Sequence, residues 1–306
     1  MLAVVPAAGL GRRFFPASRV VPKELLPFGT RPLVHHTLAE IERAGFDRAA
    51  VVVSPDKAGI RRYFQADPGL ERRLLERGDQ AGLGELREAA AIARRLRLHF
   101  VEQPAPLGLG DAVARCRPLA GDEPFAVLLP DDVIPTSDHW TSLRALHDER
   151  GAACLCVRSV PPDQVHRFGV AVCTRVARGH LRVESLVEKP PRHLAPSNLA
   201  VLGRYIVTRP VLDAIDRELA RRDRTGEVQL TEGLAAALRD AAGVLAVRFA
   251  GVHYDCGTPE DYARSLAAAV SGPPPPRPAP PAAAASDSDR GRSWPTVAWP
   301  GNPARR

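Results

Sequence analysis

The sequence predicts an α/β fold, a central mixed and mostly parallel sheet flanked by helices, with a smaller β-rich portion in its second half. Three observations lead there. Over the first 150 or so residues, short apolar runs alternate with segments of helical spacing, and strand–helix–strand alternation is the pattern of a parallel sheet covered on both faces. Beyond that point, strand-like runs follow one another on shorter connections, as antiparallel pairing allows. Finally, 306 residues at 45% hydrophobic are enough for a sizeable core.

The elements follow in order. Residues 2–8 (LAVVPAA) read as a buried strand running into the tight loop Gly9-Leu10-Gly11. Residues 32–44 have helical spacing, with Pro32 in the first turn and Gly45 just past the end. Residues 49–53 form a second apolar strand and 57–64 a short helix; the charged stretch 70–97, with Leu and Ala at helical intervals, makes one or two surface helices. A third strand covers 98–101, a helix begins at Asp111, and a fourth strand over 125–129 ends at Pro130-Asp131-Asp132. After a helix near 140–149 come strands at 152–157, 169–173, 181–187 and 200–207, then helices at 210–220, 231–239 and 259–269. From Ser271 the composition changes: ten of the thirty prolines lie in 271–306, a Pro/Ala-rich stretch that cannot bury a core and is expected to be a disordered tail. Trp294 and Trp299, each beside a proline, are either a docking motif or part of a tail without function, and the second reading is preferred.

Charge and cysteines narrow the function classes. The net charge is +7, of which +3 sits in residues 271–306. The surplus over 1–270 suits an anionic small molecule as well as nucleic acid, but the folded part lacks the basic–aromatic array of a nucleic-acid binder. No run approaches eighteen apolar residues, and the start MLAVVPAAGLG has no basic stretch ahead of its apolar one, so neither a membrane span nor a secretory leader is expected. Five cysteines, without CxxC pairs or zinc-like His spacing, read as reduced thiols in a cytoplasmic protein.

Lysine is rare: of 42 basic residues only Lys23, Lys57 and Lys189 are lysine, and Asn198 and Asn302 are the only asparagines. A compact ammonium fits beside a phosphate where a forked guanidinium does not, so a surviving lysine marks a candidate phosphate contact. The first motif is Pro6-Ala7-Ala8-Gly9-Leu10-Gly11-Arg12-Arg13-Phe14. A glycine turn after a strand lets backbone N–H groups approach phosphates. Phe14 stands where a dinucleotide fingerprint needs its third glycine, and no Gly-Lys-Ser/Thr follows, so neither a Rossmann fingerprint nor a P-loop is present. Then come Pro22-Lys23-Glu24-Leu25-Leu26-Pro27, Glu102-Gln103 and Gly108-Leu109-Gly110. A glutamine amide carries a donor and an acceptor side by side, matching the N3–H and O4 edge of uracil or thymine. Asp131 and Asp132 follow an apolar strand, where carboxylates suit Mg2+ held with substrate phosphates or serve as turn residues. The second half adds Phe168-Gly169, Glu188-Lys189-Pro190, Ala195-Pro196-Ser197-Asn198, Gly226-Glu227-Val228-Gln229-Leu230-Thr231 and Tyr254-Asp255-Cys256-Gly257. Taken alone, Glu188 and Lys189 are either sugar and phosphate contacts or an exposed ion pair, and Asp255 is either a second metal ligand or a structural acceptor.

In this order, over about residues 4–262, these segments resemble the bacterial UTP–glucose-1-phosphate uridylyltransferases, of the sugar nucleotidyltransferase fold. The resemblance implies one domain over 1–270, mainly nucleotide-binding in 1–150 and mainly sugar-binding in 151–270. It implies that Ala8, Gly9, Gln103 and Gly108 hold the nucleotide, with Gln103 and Gly108 on the uracil. Arg13 and Lys23 meet the triphosphate, and Lys189 is the third catalytic cation. Gly169, Glu188 and Asn198 take the glucose 1-phosphate, and Asp131 with Asp255 binds Mg2+. The substrates implied are UTP and glucose 1-phosphate, with neither nucleic acid nor membrane as partner, and a homo-oligomer is expected. Two departures stand out. Arg12 replaces the threonine of the family's G-L-G-T-R, and Asp111 replaces the histidine of its G-L-G-H-A. Arg12 either adds a phosphate contact or blocks the turn; Asp111 either caps its helix or repels the triphosphate. A sister transferase with another nucleotide or sugar, and a catalytically silent paralogue, are the alternatives these departures raise.

Overall fold

In the computed structural model, which describes residues 1–176, 180–221, 226–239 and 243–271, strand β1 (Leu2–Pro6) has a parallel neighbour on each side. The ribbon of β2 (Pro27–Phe28) and β3 (Arg31–Pro32) leads into helix α1 (Leu33–Arg43), which starts after Pro32 and is followed by Gly45 at φ 75°. Strand β4 (Ala49–Val53) aligns Ala50 with Val4 of β1, and β5 (His99–Glu102) pairs beyond it. Between β4 and β5 run α2 (Ala58–Tyr63), α3 (Pro68–Glu76) and α4 (Gln80–Arg95). The charged stretch is thus two helices. Asp67 and Asp79 open them, each carboxylate accepting a backbone N–H three residues on, and Gly78 at φ 68° makes the turn between. Helices α5 (Leu109–Ala114) and α6 (Arg117–Ala120) return the chain to β6 (Phe125–Leu128), the other neighbour of β1.

The second half comprises β7 (Asp132–Val133), α7 (Asp138–Arg150), β8 (Ala153–Ser159), β9 (Gly169–Arg175), β10 (Leu181–Glu188), β11 (Leu199–Val207), α8 (Arg209–Arg221), α9 (Leu230–Ala237), β12 (Val244–Arg248), β13 (Tyr254–Asp255) and α10 (Pro259–Ser271). Among the described residues, nine strands form one sheet in the order β5-β4-β1-β6-β11-β8-β12-β10-β9. Strand β11 runs antiparallel to both β6 and β8, so the antiparallel portion continues the parallel sheet edge to edge. Strand β12 was not expected from the sequence. It slots between β8 (parallel) and β10 (antiparallel), and its five residues become a strand through those distant partners. The small ribbon β7–β13, which aligns Asp132 with Asp255, was not expected either.

The core lies on both faces of the sheet. In β1, Leu2 and Val4 face a layer containing Leu212, Ile215 and Leu234 of α8 and α9, while Ala3 and Val5 face Leu38, Ile41, Ile92 and Trp140 of α1, α4 and α7. That alternation explains why a strand of a two-sided sheet reads as an unbroken apolar run. Strands β5, β4, β1 and β6 are parallel, so their carboxyl ends share one edge, the edge at which such sheets bind ligands. The five cysteines are free thiols. Among the described residues no helix is long and apolar enough to cross a membrane. The tail from residue 272, with Trp294 and Trp299, lies outside the described residues.

Candidate active site

Two adjoining cavities open at that edge. The first, about 360 Å3, is lined by Ala8, Gly9, Arg12, Lys23, Gln103, Gly108 and Asp131. Each arrives on a segment leaving a parallel strand or beside one: Ala8 and Gly9 after β1, Gln103 after β5, Asp131 after β6. Gly108 takes φ 98°, and a Cβ there would lie 2.4 Å from the Val228 carbonyl oxygen, so only glycine fits. Its neighbours bind the same strip of chain: Gly110 N–H donates to Val228 O and Val228 N–H to Leu107 O, both at 2.8 Å. The motifs at 108–110 and 226–231 are therefore two sides of one wall.

Three buried or half-buried cations hold the first cavity's loops. Lys23 donates to Asp131 Oδ2 at 2.5 Å. Burial alone would lower the Lys23 ammonium, but the Asp131 and Glu24 carboxylates outweigh it and raise its pKa. Burial likewise pushes the Asp131 carboxyl up, and the Lys23 charge outweighs it, leaving Asp131 below the usual carboxylate range. Lys57, at the end of β4, donates to Ala7 O at 2.8 Å, Gly9 O at 2.6 Å and Glu24 Oε2 at 2.8 Å, tying the glycine loop to the Lys23 segment. Arg204 of β11, 0% exposed, spans Glu40 with bonds of 2.7 and 2.6 Å and donates to the carbonyls of Leu129, Gly203 and Asp132. It thereby fixes the turn on which Asp131 stands.

The second cavity, about 680 Å3, is lined by Arg13, Asp131, Arg167, Gly169, Glu188, Lys189, Thr231 and Asp255 among others. Gly169 and Glu188 are cross-strand partners in β9 and β10. Glu188 and Lys189 form an ion pair at 2.9 Å, and Lys189 holds the left-handed conformation, φ 43°. Such a backbone is unfavourable for any residue with a Cβ. The Thr231 hydroxyl oxygen is buried with no hydrogen-bond partner among the described residues. Asp255 accepts from Arg167 at 2.7 Å and from the Gly257 N–H at 2.9 Å. Burial, then the Asp132 and Asp261 charges, raise its pKa against the pull of Arg167.

Asp131, Asp255 and Arg13 converge at Gly257. A Cβ built there would lie 3.2 Å from Asp255 Oδ1, 3.6 Å from Arg13 Nη1 and 3.7 Å from Asp131 Oδ2. The two carboxylates thus offer the hard oxygen donors that Mg2+ takes. Among the described residues there is no cluster of three or more metal-ligating side chains. That is compatible with Mg2+, which is commonly bound by one or two carboxylates together with substrate phosphates.

The structure brings together Ala8, Gly9, Lys23, Gln103, Gly108 and Asp131 in one cavity and Arg13, Gly169, Glu188, Lys189, Asp131 and Asp255 in the other. Asn198 lines neither; its backbone carbonyl accepts the Val160 N–H at 3.0 Å, just ahead of β11. Arg12 does not block the turn, because Gly11 takes the left-handed conformation before it and Arg12 faces the first cavity. Asp111 neither caps α5, whose N-cap is Gly108, nor lines either cavity; it pairs with Arg115 at 2.7 Å and Gln103 at 2.8 Å. Sequence reasoning assigned no individual role to Lys57, Arg167, Arg204 or Thr231. Two of them carried a signal: Lys57 as one of three lysines and Thr231 as the last residue of the 226–231 motif.

A family profile described as nucleotidyl transferase matches residues 2–271. A UTP–glucose-1-phosphate uridylyltransferase of Bacillus subtilis (strain 168) is 37% identical over 258 residues, 83% of this chain and 86% of its own length. Among solved structures, a UDP-glucose pyrophosphorylase complexed with UDP-glucose is 29% identical with a TM-score of 0.75, covering 88% of this chain and 98% of that one. A UTP-bound UGPase from Acinetobacter baumannii is 32% identical with a TM-score of 0.76, covering 87% and 92%.

Proposed function

Because the chain belongs to the nucleotidyl transferase family, among the UTP–glucose-1-phosphate uridylyltransferases, we propose that its first cavity holds UTP and its second glucose 1-phosphate. A phosphate oxygen of glucose 1-phosphate attacks the α-phosphorus of UTP in line; UDP-glucose forms and pyrophosphate leaves. The nucleophile is already anionic at neutral pH, so no general base is required. The protein's task is to bring two anions together and to stabilise charge on the phosphoryl and leaving oxygens.

The observation that carries this reading is the shared wall: Asp131 borders both cavities, beside Lys23 in one and Arg13 in the other. Ala8 and Gly9 present the loop to the nucleotide, and Gln103 with Gly108 meets the base. Lys23 and Arg13 face the triphosphate. Lys189 meets the sugar phosphate, and Glu188 and the Thr231 hydroxyl accept or donate to sugar hydroxyls. Asp131 and Asp255 would hold Mg2+, which supplies positive charge to phosphate oxygens when bound. Asn198 acts in this scheme through the loop it ends, ahead of β11. The five unpaired thiols, four buried and Cys173 half-buried, support a reducing, cytoplasmic setting.

The test is pyrophosphate release by the purified protein with Mg2+ and glucose 1-phosphate, comparing UTP, dTTP, CTP, ATP and GTP. We expect turnover selective for UTP and lost in Lys189→Ala, which guards against a contaminating enzyme. Turnover with another nucleotide alone makes the protein a sister transferase. Binding of uridine nucleotide without turnover, with any sugar phosphate, makes it a silent paralogue.

A further inference from the structure

The Gln103 side chain is 4% exposed and lines the first cavity. Its amide nitrogen donates to Gly108 O at 3.0 Å and to Asp111 Oδ2 at 2.8 Å. A carbonyl and a carboxylate can only accept. Turning the amide over would press its oxygen against both, so the orientation is settled by chemistry. Both amide hydrogens are consumed inside the protein. Among the described residues no donor reaches Oε1, and that oxygen is the atom left for a ligand. The donor-and-acceptor edge expected from the sequence is therefore an acceptor alone. Asp111 owes its own place to Arg115, one turn along α5, whose Nε donates to the same Oδ2 at 2.7 Å.

We propose that Asp111 is a positioning residue that sets the base selectivity of the nucleotide site. By holding Gln103 as an acceptor, it makes the site take a pyrimidine whose N3 carries a hydrogen and turn away one whose N3 is a lone pair. Uracil and thymine qualify; cytosine does not. The proposal rests on the reading that this cavity holds a nucleotide base. It also states what one departure from the family pattern does: the carboxylate at 111 addresses the base reader, not the triphosphate.

The test is calorimetric titration of the full-length protein with UDP, CDP and N3-methyl-UDP, in which the N3–H is replaced by N–CH3. A misdirected buried hydrogen bond corresponds to about tenfold in affinity, so wild type should prefer UDP to each analogue by about that factor or more. Asp111→Leu keeps about the size but removes the one oxygen that Gln103 and Arg115 share, so that Gly108 O alone still holds the amide. It should narrow the UDP-to-CDP ratio by about tenfold, mainly by gaining CDP. With UTP and CTP as substrates, the change should fall on KM more than on kcat, which a merely structural role would not produce. An unchanged ratio in a folded Asp111→Leu protein overturns the proposal. If that variant does not fold, wild type decides: equal affinity for UDP and N3-methyl-UDP overturns it. Wild type that binds no uridine nucleotide at all overturns the proposal together with the function on which it rests, so the two failures are told apart.

Discussion

Lys57 Nζ lies 2.8 Å from Glu24 Oε2, with the two side chains only 6% and 1% exposed. One ammonium thus joins the end of β4, the glycine loop and the segment that carries Lys23. Removing one partner of a buried ion pair leaves the other charge uncompensated and costs about 3–5 kcal/mol. Lys57→Met should therefore lose about that much in urea unfolding, and Lys57→Met with Glu24→Gln should recover part of it. Nucleotide affinity should fall in the single variant even where it remains folded, because Ala7 and Gly9 lose their anchor.

Lys23 and Asp131 are partners in the free protein; both line the first cavity, and Asp131 lines the second as well. Losing one preorganised charge at a phosphoryl-transfer site typically costs about 10²–10³ in rate. Lys23→Ala and Asp131→Asn should each lower kcat by about that factor, with a native circular dichroism spectrum. A loss confined to KM would assign these residues to uniform binding instead.

Stability and activity should part company at Lys189. Its φ of 43° favours glycine, and Lys189→Gly should raise thermal stability by about 1 kcal/mol. The same change removes the ammonium, so turnover should drop steeply. A variant less stable than wild type would show that the Lys189 side chain contributes more to the fold than its backbone costs.

His35 gives a pH signature. Its ring is buried; Tyr63 Oη lies 3.0 Å from one nitrogen and Arg31 Nη1 3.3 Å from the other. Burial, then the Arg31 charge, lowers its pKa from 6.5 to about 4. The unfolded chain therefore binds more protons than the folded one between those values. The contribution is fully present above pH 6.5 and lost progressively as pH falls toward 4. Melting temperature should decline across that window, and His35→Gln should flatten the decline. His36, also lowered by burial, keeps some slope in the variant.

What sequence shows well here is what is local. The apolar run of β1, the helix bounded by Pro32 and Gly45, and Gly108 each satisfy a requirement met within a few residues. Strand β12 needed β8 and β10 as partners before its five residues had a reason to be extended. Arg204 and Glu40, 164 positions apart, form a pair no spacing rule could join. Asp111 was legible as a departure but not as a device, since its meaning depends on a glutamine that β5 delivers beside it. The lysine census pointed to all three lysines. Motifs tied two of them to phosphates and left Lys57, whose partners are two backbone carbonyls and the Glu24 carboxylate, without a role.

Among the described residues, the two cavities share only Leu109, Leu129, Asp131 and Gln229 in their linings. Everything else that lines one pocket is absent from the other: the first draws mainly on segments after β1 and β5, the second on β9, β10, β11 and the stretch from β13 into α10. Such a division makes the molecule separable in descent. Mutations that recut the proposed sugar pocket around β9 and β10 leave the proposed base reader after β5 untouched, and the reverse holds. New pairings of donor and acceptor can then arise one pocket at a time, while the four common residues are constrained by both substrates at once.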